Sequence, residues 1–340
     1  MAGIGVRLNK IFGKNTLTTN MIGFFYSTLV TVAPMFAIII NLVLMEYFLK
    51  FSTLGYAQRE LFSCTILYTF IFSLLTASPF NAVLSRYISD VIYEERYQDI
   101  LPCYHIGMVL NIALSCLVGI PFCLWEHFIG GVSVAYVFAG FWCYSSLVLV
   151  FYSMIYLSIC KDYQRIAQYY GIGMLVAFFL SLFFRYILHW GITQSMLAAM
   201  DAGFFLTAVL ENALIKRYFR KNSNRYKPVL AYFKKYWQLV VTNFLYILGL
   251  YVHNFVFWTT DMKMVVVDSF VCNQPYDMAS CLAMFTNISA TIIFISRVEM
   301  YFHEKYKLYS EAVIGGRGAD IQNTKKRMFR QLASELMTLA

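Results

Sequence analysis

Eight stretches of this 340-residue chain are each long and apolar enough to cross a bilayer, a crossing that needs about 20 apolar residues in a helix. They are Met21–Met45, Leu61–Ser85, Tyr104–Leu124, Ser133–Ile159, Tyr169–Leu188, Leu197–Ile215, Trp237–Thr259 and Met278–Ser296. Within hydrocarbon every backbone polar group needs an internal partner, so only helices and closed barrels span. No segment shows the two-residue alternation of a barrel strand. The connections Trp125–Val132 and His189–Met196 are short, which makes sequential helices antiparallel neighbours. The predicted fold is therefore all-α, a polytopic membrane helical bundle. Charged residues make up 13% of the chain, against about 25% in soluble domains.

The basic residues set the expected topology. With the N-terminus inside, 23 of the 27 Lys and Arg fall in inner segments, Lys50, Arg59 and Lys263 in outer loops, and Arg185 in a span. That asymmetry follows the positive-inside rule and predicts a multi-pass protein of the cytoplasmic membrane with a cytoplasmic N-terminus. The formal charge of +9 is then read as topology beside anionic lipid, with no nucleic acid partner. No cleavable signal peptide is visible; Met1–Lys14 reads as a basic amphipathic lead-in.

The densest basic run is Lys216–Lys235, KRYFRKNSNRYKPVLAYFKK, with eight cations and no acid. It divides the chain into an N-terminal six-helix bundle (1–215), a basic linker (216–236) and the first two helices of a second bundle (237–296). A charged amphipathic segment (297–340), interrupted at Gly315 and Gly316, reads as two cytoplasmic helices. Lys216, Arg217, Arg220 and Lys221 are candidates for docking a cytoplasmic partner.

No P-loop, GxSxG or HExxH occurs, so ATP-driven or hydrolytic chemistry is not expected. Among the eight cysteines there is no CxxC or Cys/His metal spacing, and neither metal nor cofactor is expected. Cys272 and Cys281 share the expected outer end, where a disulfide is open to them.

Polar residues inside spans call for an explanation, since a charge costs roughly 3 kcal/mol on insertion scales. Arg185 and Asp201 lie at similar depth across one hairpin. They can pair, Arg185 can snorkel to the headgroups, or it can line an outward cavity and touch an anionic carrier or a sugar. Glu211 either pairs with Lys216 or Arg217 near the interface or couples protons. On the seventh span Thr242, Tyr246, Gly249 and His253 fall within about 60° at a helical period, with Asn243 and Asn254 on the flank. A satisfied packing role competes there with contact to carbohydrate hydroxyls and ring faces. The first span has a similar stripe of Asn20, Ser27, Thr31 and Pro34, with Asn41 close to it. Paired stripes suit a transporter pseudo-repeat.

Several stretches together resemble the Pel exopolysaccharide transporter family, PelG: MAGIGVRL at Met1–Leu8, SRYISDVIYEERYQDILPCY at Ser85–Tyr104, YVHNFVFW at Tyr251–Trp258, PYD at Pro275–Asp277, and RVEMYFHEKYKLYSEAVIGG at Arg297–Gly316. The resemblance implies a fold like the multidrug/oligosaccharidyl-lipid/polysaccharide flippases, with two six-helix bundles around a central cavity. It implies export of a galactosamine-type polymer, largely N-acetylgalactosamine, in company with a cytoplasmic glycosyltransferase and further membrane subunits of a Pel-type synthase complex. It also implies about twelve helices, so eight suggest a C-terminally shortened piece of a longer protein.

The expected function is transport of exopolysaccharide, not enzymology. His253, Asn254, Asn243, Tyr246, Arg185, Asp201 and Asn41 are the candidate substrate-path residues. A membrane scaffold for a glycosyltransferase, and a flippase for lipid-linked oligosaccharide or drugs, are the alternatives.

Overall fold

The structure, a computed structural model, describes residues 17–160, 162–266, 270–283 and 303–339. Among the described residues six helices are long and apolar enough to cross a membrane: α2 (Tyr56–Tyr93), α3 (Ile100–Phe128), α4 (Val134–Ile159), α5 (Tyr163–Tyr186), α6 (Ile192–Tyr218) and α8 (Trp237–Trp258). They match the second to seventh predicted spans. The first predicted span falls inside α1 (Leu17–Phe48). The eighth lies mostly outside the described residues. The chain is an all-α polytopic membrane bundle.

Two compact units divide it: Pro34–Ile159 with Arg165–Asp277, and Met1–Ala33 with Cys160–Gln164 and Met278–Ala340. In the first unit α4 is the central element, with α2, α3 and α6 packed around it. Cys143, Leu147, Val148, Val150, Tyr152 and Leu157 of α4 are consequently inaccessible to solvent and lipid. Between α3 and α4 the Tyr104 hydroxyl lies 3.0 Å from that of Ser153, and the Tyr152 hydroxyl donates to the Tyr104 carbonyl at 2.8 Å. Helices α5 and α6 cross at Gly173 and Gly203: a Cβ on Gly173 would stand 2.6 Å from the Gly203 carbonyl oxygen. Small residues at such a crossing let backbones approach where apolar burial gives no drive.

Helix α2 runs 38 residues with Pro79 inside it, well beyond the predicted span at both ends. Its extension past residue 85 was expected as a loop. Leu84, Tyr87, Ile88 and Val91 are almost wholly buried there, at the spacing of one helical face. Part of what covers them is α7 (Lys227–Lys235), from the basic linker. Tyr232 of α7 donates to Asp90 at 3.0 Å, its ring meets Tyr87 edge-on at 4.8 Å, and Phe233 lies against Phe80. The Ser223 amide bonds the Gln98 carbonyl at 3.0 Å, and its hydroxyl bonds Asp99, which also pairs with Arg96 at 2.6 Å.

At the other end of α2 and α8 a short hairpin, β1 (Met264–Val266) and β2 (Phe270–Cys272), pairs antiparallel with Met264 opposite Cys272. No strand was expected there. A helix begins at residue 274 and continues through the described residues to 283. In the second unit α9 (His303–Gly315) and α10 (Gly318–Leu339) pack together, with the break at Gly316 as the sequence implied.

Candidate functional site

Helix α8 leans on α2 along one edge and meets Tyr276 and Asp277 at its end; the rest of its surface is largely open to the other described residues. Only 6% of its most apolar window is buried. On the predicted polar face Tyr246 is 65% exposed, Thr242 is exposed with its hydroxyl turned back to the Gln238 carbonyl at 2.8 Å, and Gly249 has open space above it. His253 is half-buried, edge-on to Tyr276 at 5.6 Å, and its Nδ1 has no protein hydrogen-bond partner. These four residues share one accessible strip.

The flanking asparagines do not join it. Asn243 donates to the carbonyl of Ser78 of α2, the residue immediately before Pro79. Asn254 is 2% exposed and donates to Asp277 Oδ1 at 2.7 Å. Asp277 also accepts from Trp258 Nε1 at 3.2 Å and from the Asn273 amide at 3.0 Å. A buried carboxylate held by several N–H donors is a strong anchor. It fixes the start of the helix at 274 to the end of α8.

The other predicted path residues lie elsewhere in the same unit. Asn41 is buried, its amide between the sulfurs of Met174 and Met200 at 3.5 and 3.4 Å. Arg185 and Asp201 make no ion pair. Arg185 donates to the Trp190 carbonyl at 2.9 Å, closing its own hairpin, and Asp201 accepts from Ser146 on α4 at 2.9 Å. Glu211 does not reach Lys216 or Arg217; it is fully buried, with no protein donor at either oxygen. Lys216, Arg217, Arg220 and Lys221 are exposed.

An aromatic cavity of about 270 Å³ opens between α2, α3, α4 and the hairpin. Tyr68, Phe72, Phe122, Tyr136, Phe141, Tyr144 and Phe270 line it, with Thr65, Thr69 and Glu126. Its walls are predominantly apolar. Tyr68 stacks on Trp258 at 4.7 Å and lies 5.3 Å from Phe270, so the hairpin seals one side. Beside it Cys64 and Cys272 lie in one buried cluster, and the neighbouring Cys64 thiol holds Cys272 below the ordinary thiol value. The disulfide left open to Cys272 and Cys281 is not formed; both are free thiols, Cys272 buried and Cys281 exposed.

The geometry is that of a membrane bundle with one polar strip and one aromatic cavity. The family model described as "PelG: Putative exopolysaccharide Exporter (EPS-E)" matches residues 1–340. The chain belongs to the PelG family. No curated protein and no solved structure matches it. As a PelG chain with six membrane-capable helices, it is a multi-pass membrane protein with a role in exopolysaccharide export.

Sequence reasoning on this PelG chain missed the cavity and the Asp277 anchor. The available signals were the Tyr68 and Phe72 spacing of one helical turn and an acidic residue, Asp277, immediately before the apolar stretch Met278–Ser296. Neither signal names its distant partner.

Proposed function

We propose that this chain is the inner-membrane subunit that passes an N-acetylgalactosamine-rich exopolysaccharide across the cytoplasmic membrane, with the N-terminus and the basic linker on the cytoplasmic side. The observation that carries the reading is the accessible strip of Thr242, Tyr246, Gly249 and His253 on a membrane span. A polar face in a span belongs against protein or water, not lipid. Hydroxyl, phenol and imidazole groups together suit a polymer that offers hydroxyls and apolar ring faces. The steps are conformational, with no covalent chemistry by this chain.

The test is polymer secretion from cells carrying His253→Ala or Tyr246→Ala, with the chain's membrane level measured alongside. Export falling at unchanged level supports the reading; full export in both variants defeats it.

A second reading, a scaffold that docks a cytoplasmic glycosyltransferase, draws on the exposed Lys216, Arg217, Arg220 and Lys221. Charge reversal at these four positions releases such a partner in a pull-down while leaving the α8 strip intact.

A further inference from the structure

Glu211 is the residue that the export reading leaves unused. It lies in α6, inside a span, and is 0% exposed. Neither carboxyl oxygen has a protein hydrogen-bond donor. Its neighbours along α6 are already committed: Thr207 donates to the Gly203 carbonyl at 2.9 Å, and Asn212 to the Met108 sulfur at 3.7 Å.

The titratable groups close enough to feel its charge are Tyr104 of α3 and Tyr170 of α5. The Tyr104 hydroxyl is engaged with Ser153 at 3.0 Å, and that of Tyr170 with the Met154 sulfur at 3.3 Å. Tyr152 and Tyr156 of α4 stand behind Tyr104, their hydroxyls 2.9 Å apart. On its own helix Lys216 and Arg217 are exposed and make no ion pair with it, and Lys216 acts instead on His105 of α3. Among the described residues none of these side chains offers Glu211 a cation, and the hydroxyls of Tyr104, Tyr170, Tyr152 and Tyr156 are already engaged elsewhere. A metal ion would require several converging oxygens, and no group of three or more His, Cys, Asp or Glu is assembled among the described residues. A proton requires only the carboxyl group.

We propose that Glu211 is the proton-carrying site that couples this transporter's conformational cycle to proton movement across the membrane. The inference rests on the export reading above. In the conformation described, the carboxyl group carries its proton, because an ion there would have lost water without gaining a partner. Release of that proton to water leaves the carboxylate, and the carboxylate favours a conformation in which α6 is opened to solvent. Proton binding and helix rearrangement are then linked, since a ligand shifts a conformational equilibrium by its differential affinity for the two states. The solvent route runs from the end of α6 that carries Lys216 and Arg217, the nearer end.

The experiment pairs Glu211→Gln, which keeps shape and neutrality but cannot release a proton, with Glu211→Asp, which keeps the acid. In cells with the substitutions in the full gene and the rest of the export system present, Gln should cut secreted polymer at least tenfold at unchanged membrane level, while Asp retains export. In proteoliposomes of the purified full chain with a trapped pH dye, the wild type should dissipate an imposed pH gradient faster than Gln does. Wild-type export by the Gln variant would overturn the proposal, because a permanently neutral packing residue tolerates Gln. Equal dissipation by wild type and empty vesicles overturns it too, whatever the stability of the variants. A flux that follows sodium and ignores pH also overturns it. Deleting the gene separates the two claims: export that survives deletion defeats the export reading, whereas export lost on deletion but kept in Gln defeats only the proton site.

Discussion

The hydroxyl of Tyr68 on α2 donates to the carbonyl of Val271 at 2.5 Å and accepts from the amide of the same residue at 3.2 Å. One phenol thus satisfies both backbone groups on the free edge of β2, although the two residues are 203 positions apart in sequence. A two-stranded hairpin is marginal by itself; here a membrane helix supplies a third edge.

Tyr68→Phe keeps the ring stack on Trp258 and removes the hydroxyl. It leaves a part-buried N–H and C=O without this partner, a loss of about 1 kcal/mol. The Val271 amide should lose its hydrogen-exchange protection while helices α3 to α6 keep theirs. Unchanged exchange at Val271 would show that the hairpin stands without the helix.

Asp277→Ala strips the acceptor from Asn254, Trp258 and the Asn273 amide together. Bonds to an ionised group contribute about 1.5–3 kcal/mol each before coupling. A fall in thermal midpoint of several degrees is expected, with a shift in tryptophan emission as Trp258 loses its bond. Trp258→Phe in the Asp277→Ala background should then add little, which is the signature of a shared network.

Gly173→Ala forces a methyl group against the Gly203 carbonyl oxygen, which would stand 2.6 Å away. The two helices must separate, at about 1–3 kcal/mol for overpacking. Gly249→Ala on the open strip of α8 meets nothing within 4 Å and should leave thermal stability unchanged or slightly raised. If both variants melt alike, the close crossing of α5 and α6 does not hold.

Cys64 and Cys272 lie together in one buried cluster. A mild external oxidant, which takes two electrons and the two thiol protons, should join them in a disulfide detectable by peptide mass. Cross-linking of Cys272 to Cys281 in preference would contradict this packing.

How much of this was legible in the sequence depended on range. The spans were legible because a run of about 20 apolar residues is a local requirement of the bilayer, and α3 to α6 and α8 lie where such runs occur. The polar strip on α8 was legible for the same reason: Thr242, Tyr246, Gly249 and His253 obey a helical period. The hairpin was not, because three-residue strands carry too little pattern to be recognised. Nor was the fate of Asn243 and Asn254. Their position on the helix was correct, but their partners Ser78 and Asp277 are tertiary neighbours that periodicity cannot reveal. Arg185 and Asp201 share a depth, which left an ion pair open to them alongside snorkelling and cavity lining. Helix rotation instead turned one toward its hairpin and the other toward Ser146 of α4.

Helix α2 carries Tyr68 near the hairpin and Asp90 beside α7, with Pro79 between them. Those 22 intervening steps of an α-helix span about 33 Å. One continuous helix therefore reaches from the hairpin to the basic linker, with Pro79 removing one backbone donor along its length. A tilt of about 10° at the proline would swing Asp90, and the basic linker attached to it, by roughly half a helical turn's rise relative to the hairpin. The wall of the aromatic cavity and the seat of the cationic linker are thus two ends of the same helix.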